Sequence, residues 1–153
     1  MNSSVKNKAA VYMDVAEAVA QRSPDAETKV GAVLVNNNTG AILATGYNGF
    51  VRGAKDEELP NTRPEKYEYM IHAEQNLISN CARHGISTDN CTLVCTMTPC
   101  KSCMRMLINT GITKIISKNL YKDFKEILEM RDVCIDLDYD QENNFYVIQY
   151  RPR

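Results

Sequence analysis

Residues 91–117 read CTLVCTMTPCKSCMRMLINTGITKIIS. The first seven, CTLVCTM, form an apolar run with the length of a buried strand. Pro99 stands where proline favours the first turn of a helix, and Cys103, Met104, Leu107 and Ile108 then fall on one helical face. ITKIIS (112–117) is apolar and β-branched again, which suits a second strand. Strand, helix and strand in succession make a crossover unit. Its two strands pair in parallel, because the helix carries the chain back to the edge it started from. Parallel pairing requires helices over the faces of the sheet, so this stretch fixes an α/β architecture.

The flanking sequence extends that unit in both directions. Residues 72–83 return to helical spacing at Ala73, Leu77, Ile78 and Cys81, and His84-Gly85 supplies a stop. VGAVLV (30–35) and AILATGY (41–47) flank the turn residues Asn36-Asn37-Asn38-Thr39-Gly40 and predict a hairpin. Residues 6–22 place Ala9, Tyr12, Met13, Ala16, Val19 and Ala20 on one helical face, ended by Ser23-Pro24-Asp25. Residues 48–70 are polar and punctuated by Pro and Gly, and a loop of that length in a compact domain is usually functional or mobile. Downstream, a helix over 122–131 carries Phe124, Ile127 and Leu128, and VCIDLD (133–138) reads as a last core strand. NNFYVIQY (143–150) is either a sixth strand or an arm onto a neighbouring subunit. The order predicts one domain over 1–153: a three-layer α/β/α sandwich around a mixed five-stranded sheet, antiparallel at its first hairpin.

Bulk properties exclude several classes. A chain of 153 residues can bury a core without disulfides. The formal net charge of -1 argues against a protein that grips nucleic acid mainly through phosphate neutralisation. The N-terminal residues lack an apolar h-region, and no stretch approaches bilayer-spanning length, so a cytoplasmic, reducing setting is expected. Six cysteines in that setting are metal ligands or buried thiols rather than a disulfide framework; Cys81, Cys91, Cys95 and Cys134 read as core thiols.

The remaining two, Cys100 and Cys103, form Pro-Cys-x-x-Cys at a helix start, where free amides and the helix dipole favour thiolates. His72 and Glu74 open another helix that follows a neighbouring sheet element. One His and two Cys give three ligands for tetrahedral zinc, leaving the fourth place for water, the catalytic pattern. Glu74 then stands beside the metal as proton carrier. Taken singly, a Cys-x-x-Cys is a redox pair or two buried thiols, and His-x-Glu is ordinary surface sequence. A structural zinc needs a fourth protein ligand, for which Cys95 is the candidate by composition. Together the fragments match the zinc-deaminase signature H-x-E…P-C-x-x-C.

HAE (72–74) with TPCKSC (98–103) resembles the cytidine deaminase superfamily. TKVGAVLV (28–35), TGYNGFVRG (45–53), DEELP (56–60) and KYEYMIHAEQN (66–76) resemble, more narrowly, the deoxycytidylate deaminases, over roughly residues 10–125. That resemblance implies hydrolysis of dCMP to dUMP, which feeds thymidylate synthesis. Zinc (Zn2+) on His72, Cys100 and Cys103 activates the water that attacks C4, and Glu74 moves protons among water, N3 and the leaving amine. It further implies that Ala73, Thr98 and Pro99 hold the base edge, Asn48 the sugar, and Tyr121 the pocket wall. Asn48-Gly49 by itself is only a good turn. A monophosphate also needs cations; Arg22, Lys29, Arg63, Lys66, Arg105 and Lys122 are candidates, of which Lys29, Arg105 and Lys122 lie nearest the motif segments. The family's homohexamers, activated by dCTP and inhibited by dTTP with Mg2+ at the triphosphate, imply effector binding at Gly46, Tyr47, Asn48 and Gly49. Val51 and Ala54 stand where family members often carry proline and cysteine, so no second zinc is expected. Competing readings are a deaminase of free cytidine or tRNA adenosine, and a zinc-stapled interaction domain. The absence of Trp disfavours a polynucleotide substrate, which is gripped by stacking aromatics.

Overall fold

The computed structural model describes residues 4–152. Helix α1 (Lys8–Ala20) starts at Asn7, whose side chain accepts from the Ala9 amide at 2.9 Å. Strands β1 (Gly31–Asn36) and β2 (Ile42–Tyr47) form the hairpin. Two single 3-10 turns (Asp56–Glu58 and Glu65–Glu68) punctuate the long loop that leads to α2 (Ala73–His84). Then follow β3 (Cys91–Met97), α3 (Lys101–Asn109), β4 (Ile112–Asn119), α4 (Phe124–Leu128), β5 (Cys134–Asp140) and β6 (Phe145–Arg151).

The strands form one mixed sheet in the order β2-β1-β3-β4-β6-β5. Only β3 and β4 are parallel neighbours, as the crossover unit requires; every other adjacent pair is antiparallel. The expected five strands become six, because the tail is a strand of the same sheet and not an arm. It also displaces β5 from β4, taking the place between them. The reason is burial. Phe145 and Ile148 of β6 are buried, whereas β5 carries Asp136 and Asp138 and fits the sheet edge. The turn between them is set by Asp140, whose carboxylate accepts from the Glu142 amide at 3.0 Å, and by Asn144 at φ 59°.

Alternation along the strands divides the core. Ala32 and Leu34 of β1 and Leu93 and Cys95 of β3 face α2, α3 and α4, meeting Leu77, Met104, Leu107 and Ile127. Val33, Val35 and Val94 face the other way, onto Met13 and Ala16 of α1. The result is the expected three layers, with one helix on one face and three on the other.

Strand direction places the site. β2 runs parallel to β3 with β1 reversed between them, so β2, β3 and β4 all end at one edge of the sheet. The chain leaves that edge into α2, into α3 and into the turn before α4, and residues 25–30 enter β1 from it. Crevices at the carboxyl ends of strands are where open α/β sheets bind ligands.

Candidate active site

His72 is the residue that caps the start of α2, and Cys100 caps the start of α3. Gln75 turns back to accept from the His72 amide at 2.9 Å, which fixes the first turn of α2. These helix starts converge. His72 Nδ1 lies 3.4 Å from Cys103 Sγ and 3.7 Å from Cys100 Sγ. A tetrahedral zinc centre with bonds of about 2.05 Å to nitrogen and about 2.3 Å to sulfur has an N···S edge of about 3.6 Å. The two observed separations bracket that edge, so the donor set fits zinc. Among the described residues these are the three side chains grouped as metal ligands. Cys95 is not among them: its thiol is wholly buried in β3, 3.8 Å from the Ile116 carbonyl oxygen. That removes the candidate fourth protein ligand.

The three donors shift one another's pKa. The Cys100 thiol is pushed down to about 3 by hydrogen bonds with Cys103 and His72. The Cys103 thiol is driven up by the Cys100 thiolate beside it and by burial. His72 is raised by its hydrogen bond to Cys100, against the opposing effect of burial. A bound dication stabilises both thiolates at once. Glu74 is 4% exposed, and its carboxylate oxygen lies 3.8 Å from His72 Nδ1. Burial raises its pKa, opposed by a hydrogen bond with Cys103.

A cavity of about 470 Å³ opens on this cluster. One part of its lining is His72, Ala73, Glu74, Met97, Thr98, Cys100, Tyr121 and Lys122, from the starts of α2 and α3 and the turn after β4. The rest comes from the segment before β1 and from the long loop, including Asp25, Asn48, Arg63 and Lys66.

The family model for the cytidine and deoxycytidylate deaminase zinc-binding region matches residues 6–118. Human deoxycytidylate deaminase is 35% identical over 127 residues, covering 78% of this chain and 70% of that one. The deoxycytidylate deaminase of Enterobacteria phage T2 is 27% identical, covering 74% and 81%. The dCMP deaminase of cyanophage S-TIM5, solved in complex with dCMP and dUMP, superposes with a TM-score of 0.65 at 34% identity, covering 84% of this chain and 93% of that one.

This chain belongs to the cytidine and deoxycytidylate deaminase family. It carries the family's zinc-binding region, with His72, Cys100 and Cys103 as the His/Cys/Cys site. The other expected site residues scatter more widely. Ala73, Thr98, Tyr121, Lys122 and Asn48 line the cavity; Pro99 is buried and does not line it. The Thr98 hydroxyl accepts from the Tyr121 amide at 2.6 Å, tying the turn after β4 to the end of β3. Asn48 is engaged within the protein: its Oδ1 accepts from the Val30 amide at 2.8 Å and its Nδ2 donates to the Thr28 carbonyl at 2.8 Å.

Lys29 and Arg105 do not line this cavity. Lys29 donates to the Ser23 carbonyl at 2.6 Å, and Arg105 forms a two-pronged pair with Asp132 at 2.7 and 3.0 Å. Arg22 also lies outside it, whereas Arg63 and Lys66 are in its wall. Gly46 and Tyr47 border a different cavity of about 500 Å³, with Arg52, Asp56 and Arg83. Gly46 also lies directly under α2, where a Cβ would sit 2.4 Å from the Ala73 carbonyl oxygen. Gly49 is buried and bridged to Ile71. His84 ends α2 before Gly85, and Cys134 on β5 is half-buried rather than in the core. Sequence reasoning missed Asp25, seen only as part of a helix stop. Its partner Lys66 is 41 residues away, a separation that leaves no local signal.

Proposed function

We propose that this chain hydrolyses dCMP to dUMP and ammonia at a single catalytic zinc ion. The observation that carries the reading is Glu74, a buried carboxyl at the cavity 3.8 Å from His72 Nδ1 and outside the triangle of metal ligands. His72, Cys100 and Cys103 would hold a zinc ion, which would acidify a water to a pKa of about 7. Glu74 would take a proton from the attacking water and deliver it to N3 of the cytosine, and a second transfer would put the water's other proton on the 4-amino nitrogen. A C–O bond forms at C4 and the C4–N bond breaks, releasing ammonia. Ala73 and Thr98 in the same wall support a backbone grip on the base edge.

A nucleoside monophosphate brings nearly two negative charges. Of the cations in the lining, Lys66 pairs with Asp25 and Glu27, and Arg63 pairs with Glu27. Two carboxylates thus balance two cations, which leaves Lys122 for the phosphate. Asn48 Oδ1 retains a second lone pair, which supports a contact with the sugar hydroxyl.

The same reading extends to a homohexamer in the cytoplasm, activated by dCTP and inhibited by dTTP, with Mg2+ accompanying the triphosphate. The cavity bordered by Gly46, Tyr47, Arg52 and Arg83 supports it, since two guanidinium groups suit an anionic nucleotide. The deciding assay compares dCMP, deoxycytidine, cytidine and dCTP as substrates, with and without dCTP or dTTP as effector. Turnover of dCMP at least about 100-fold above deoxycytidine is expected, and Lys122→Ala should shrink that ratio by about tenfold or more. Zinc-loaded protein inert on all four would overturn the reading.

A further inference from the structure

The cavity wall holds two buried charges that the chemistry at Glu74 does not use. Asp25 and Lys66 are 2% and 3% exposed. Lys66 Nζ donates to both Asp25 oxygens, at 3.0 and 2.8 Å. The same carboxylate accepts from the Glu27 and Thr28 amides at 2.8 and 3.0 Å, and from Asn48 Nδ2 at 3.3 Å. Asn48 in turn accepts from the Val30 amide, and its own carbonyl accepts from the Ser23 hydroxyl at 2.7 Å. One carboxylate therefore joins the segment before β1, the residue after β2, and the 3-10 turn before α2. All three contribute to the cavity lining.

Buried ion pairs are poor devices for stability, because desolvation of both charges offsets their attraction, and apolar replacements often fold as well. In some proteins such pairs fix geometry instead. Burial is the largest single effect on the Asp25 carboxyl and raises its pKa, but hydrogen bonds from Lys66 and the Thr28 and Glu27 amides together outweigh it and hold the carboxyl below its ordinary value, so it is ionised at neutral pH. We infer that the Asp25–Lys66 pair is a positioning device for nucleotide binding, which sets Asn48, Thr28 and the Arg63–Tyr67 turn against the metal-bearing wall. It acts on how tightly the sugar–phosphate end is held and leaves the reacting groups untouched. The assignment of that ligand as a nucleoside monophosphate rests on the function proposed above.

The test uses zinc-loaded full-length protein as wild type, as Lys66→Met, and as the charge-balanced double variant Asp25→Asn/Lys66→Met. Three quantities are measured: kcat and KM on dCMP, calorimetric Kd for dUMP, and Tm with zinc content. The double variant should recover most of the Tm lost by Lys66→Met. Its KM and its dUMP Kd should stay about tenfold or more above wild type, with kcat within about threefold and zinc unchanged. Should Lys66→Met fail to fold, the double variant decides alone. A double variant that binds dUMP like wild type, or one that loses kcat or zinc with binding intact, would overturn the inference. Wild-type protein that neither binds dUMP nor turns over dCMP would instead overturn the proposed function.

Discussion

Replacing Gly46 by alanine should move the active site without touching a ligand. A Cβ at this position would lie 2.4 Å from the Ala73 carbonyl oxygen and 2.6 Å from the Leu77 amide nitrogen, both backbone atoms of α2. Contact becomes ordinary only at 3.4 Å, so α2 and β2 must separate by about 1 Å. A side-chain rotation cannot relieve the overlap, because the obstructing atoms belong to a helix packed on the sheet through wholly buried Leu77. Overpacking of that kind costs about 3 kcal/mol. For a domain of this size it lowers Tm by about 6–12 °C. The displaced turn carries His72 and Glu74, and a displacement of about 1 Å in reacting groups costs about 100-fold in rate. Thermal denaturation, zinc content and kcat/KM on dCMP, measured together on Gly46→Ala, check all three. A variant with wild-type Tm and kcat/KM would refute the packing argument. A variant altered only in its response to dCTP or dTTP would assign Gly46 to effector binding instead.

Other outcomes follow from the same geometry. Glu74→Gln should retain zinc and fold while losing about 10³-fold or more in kcat, measured by turnover and by metal analysis of the same sample. Cys103→Ala leaves two donors, and metal analysis should find it nearly free of zinc, whereas chelated wild type should regain turnover with one equivalent of zinc. The Asp25 carboxyl sits below its ordinary 3.8 in the folded state, so its contribution to stability is complete above that pH and fades as pH falls through the folded value. In Lys66→Met the same carboxyl is buried without its counter-ion, so protonation relieves it. The Tm difference between wild type and Lys66→Met should therefore narrow as pH falls, above the ordinary 3.8 through relief of the variant and below it through loss in the wild type. A gap that stays constant from pH 5 to about pH 3 would contradict this.

The metal centre was legible in the sequence because its information is local. Cys100 and Cys103 share one helical turn and His72 and Glu74 share another, so spacing alone puts each pair on a helix start. The β3-α3-β4 unit was legible for the same reason: its strand and helix periods lie side by side in one stretch. The phosphate candidates were legible only in part. Nearness to a motif favoured Lys29, Arg105 and Lys122; Lys122 lines the cavity, but the structure gives Lys29 the Ser23 carbonyl and Arg105 the Asp132 carboxylate. Sequence shows that a side chain is charged, whereas the partner that uses the charge is chosen by folding.

The sequence by itself determined the α/β class, the hairpin, the crossover unit, the His/Cys/Cys cluster and the placing of Glu74 beside it, since each is written in spacing within a few turns or strands. Only the tertiary structure decided that the tail lies between β4 and β5, because the competition for the inner position depends on which strand can be buried. It alone also decided that Asp25 meets Lys66 across 41 residues and that Gly46 lies against the backbone of α2. Those contacts join segments that pass through the same region only after the sheet has assembled, and no periodicity in the chain records them.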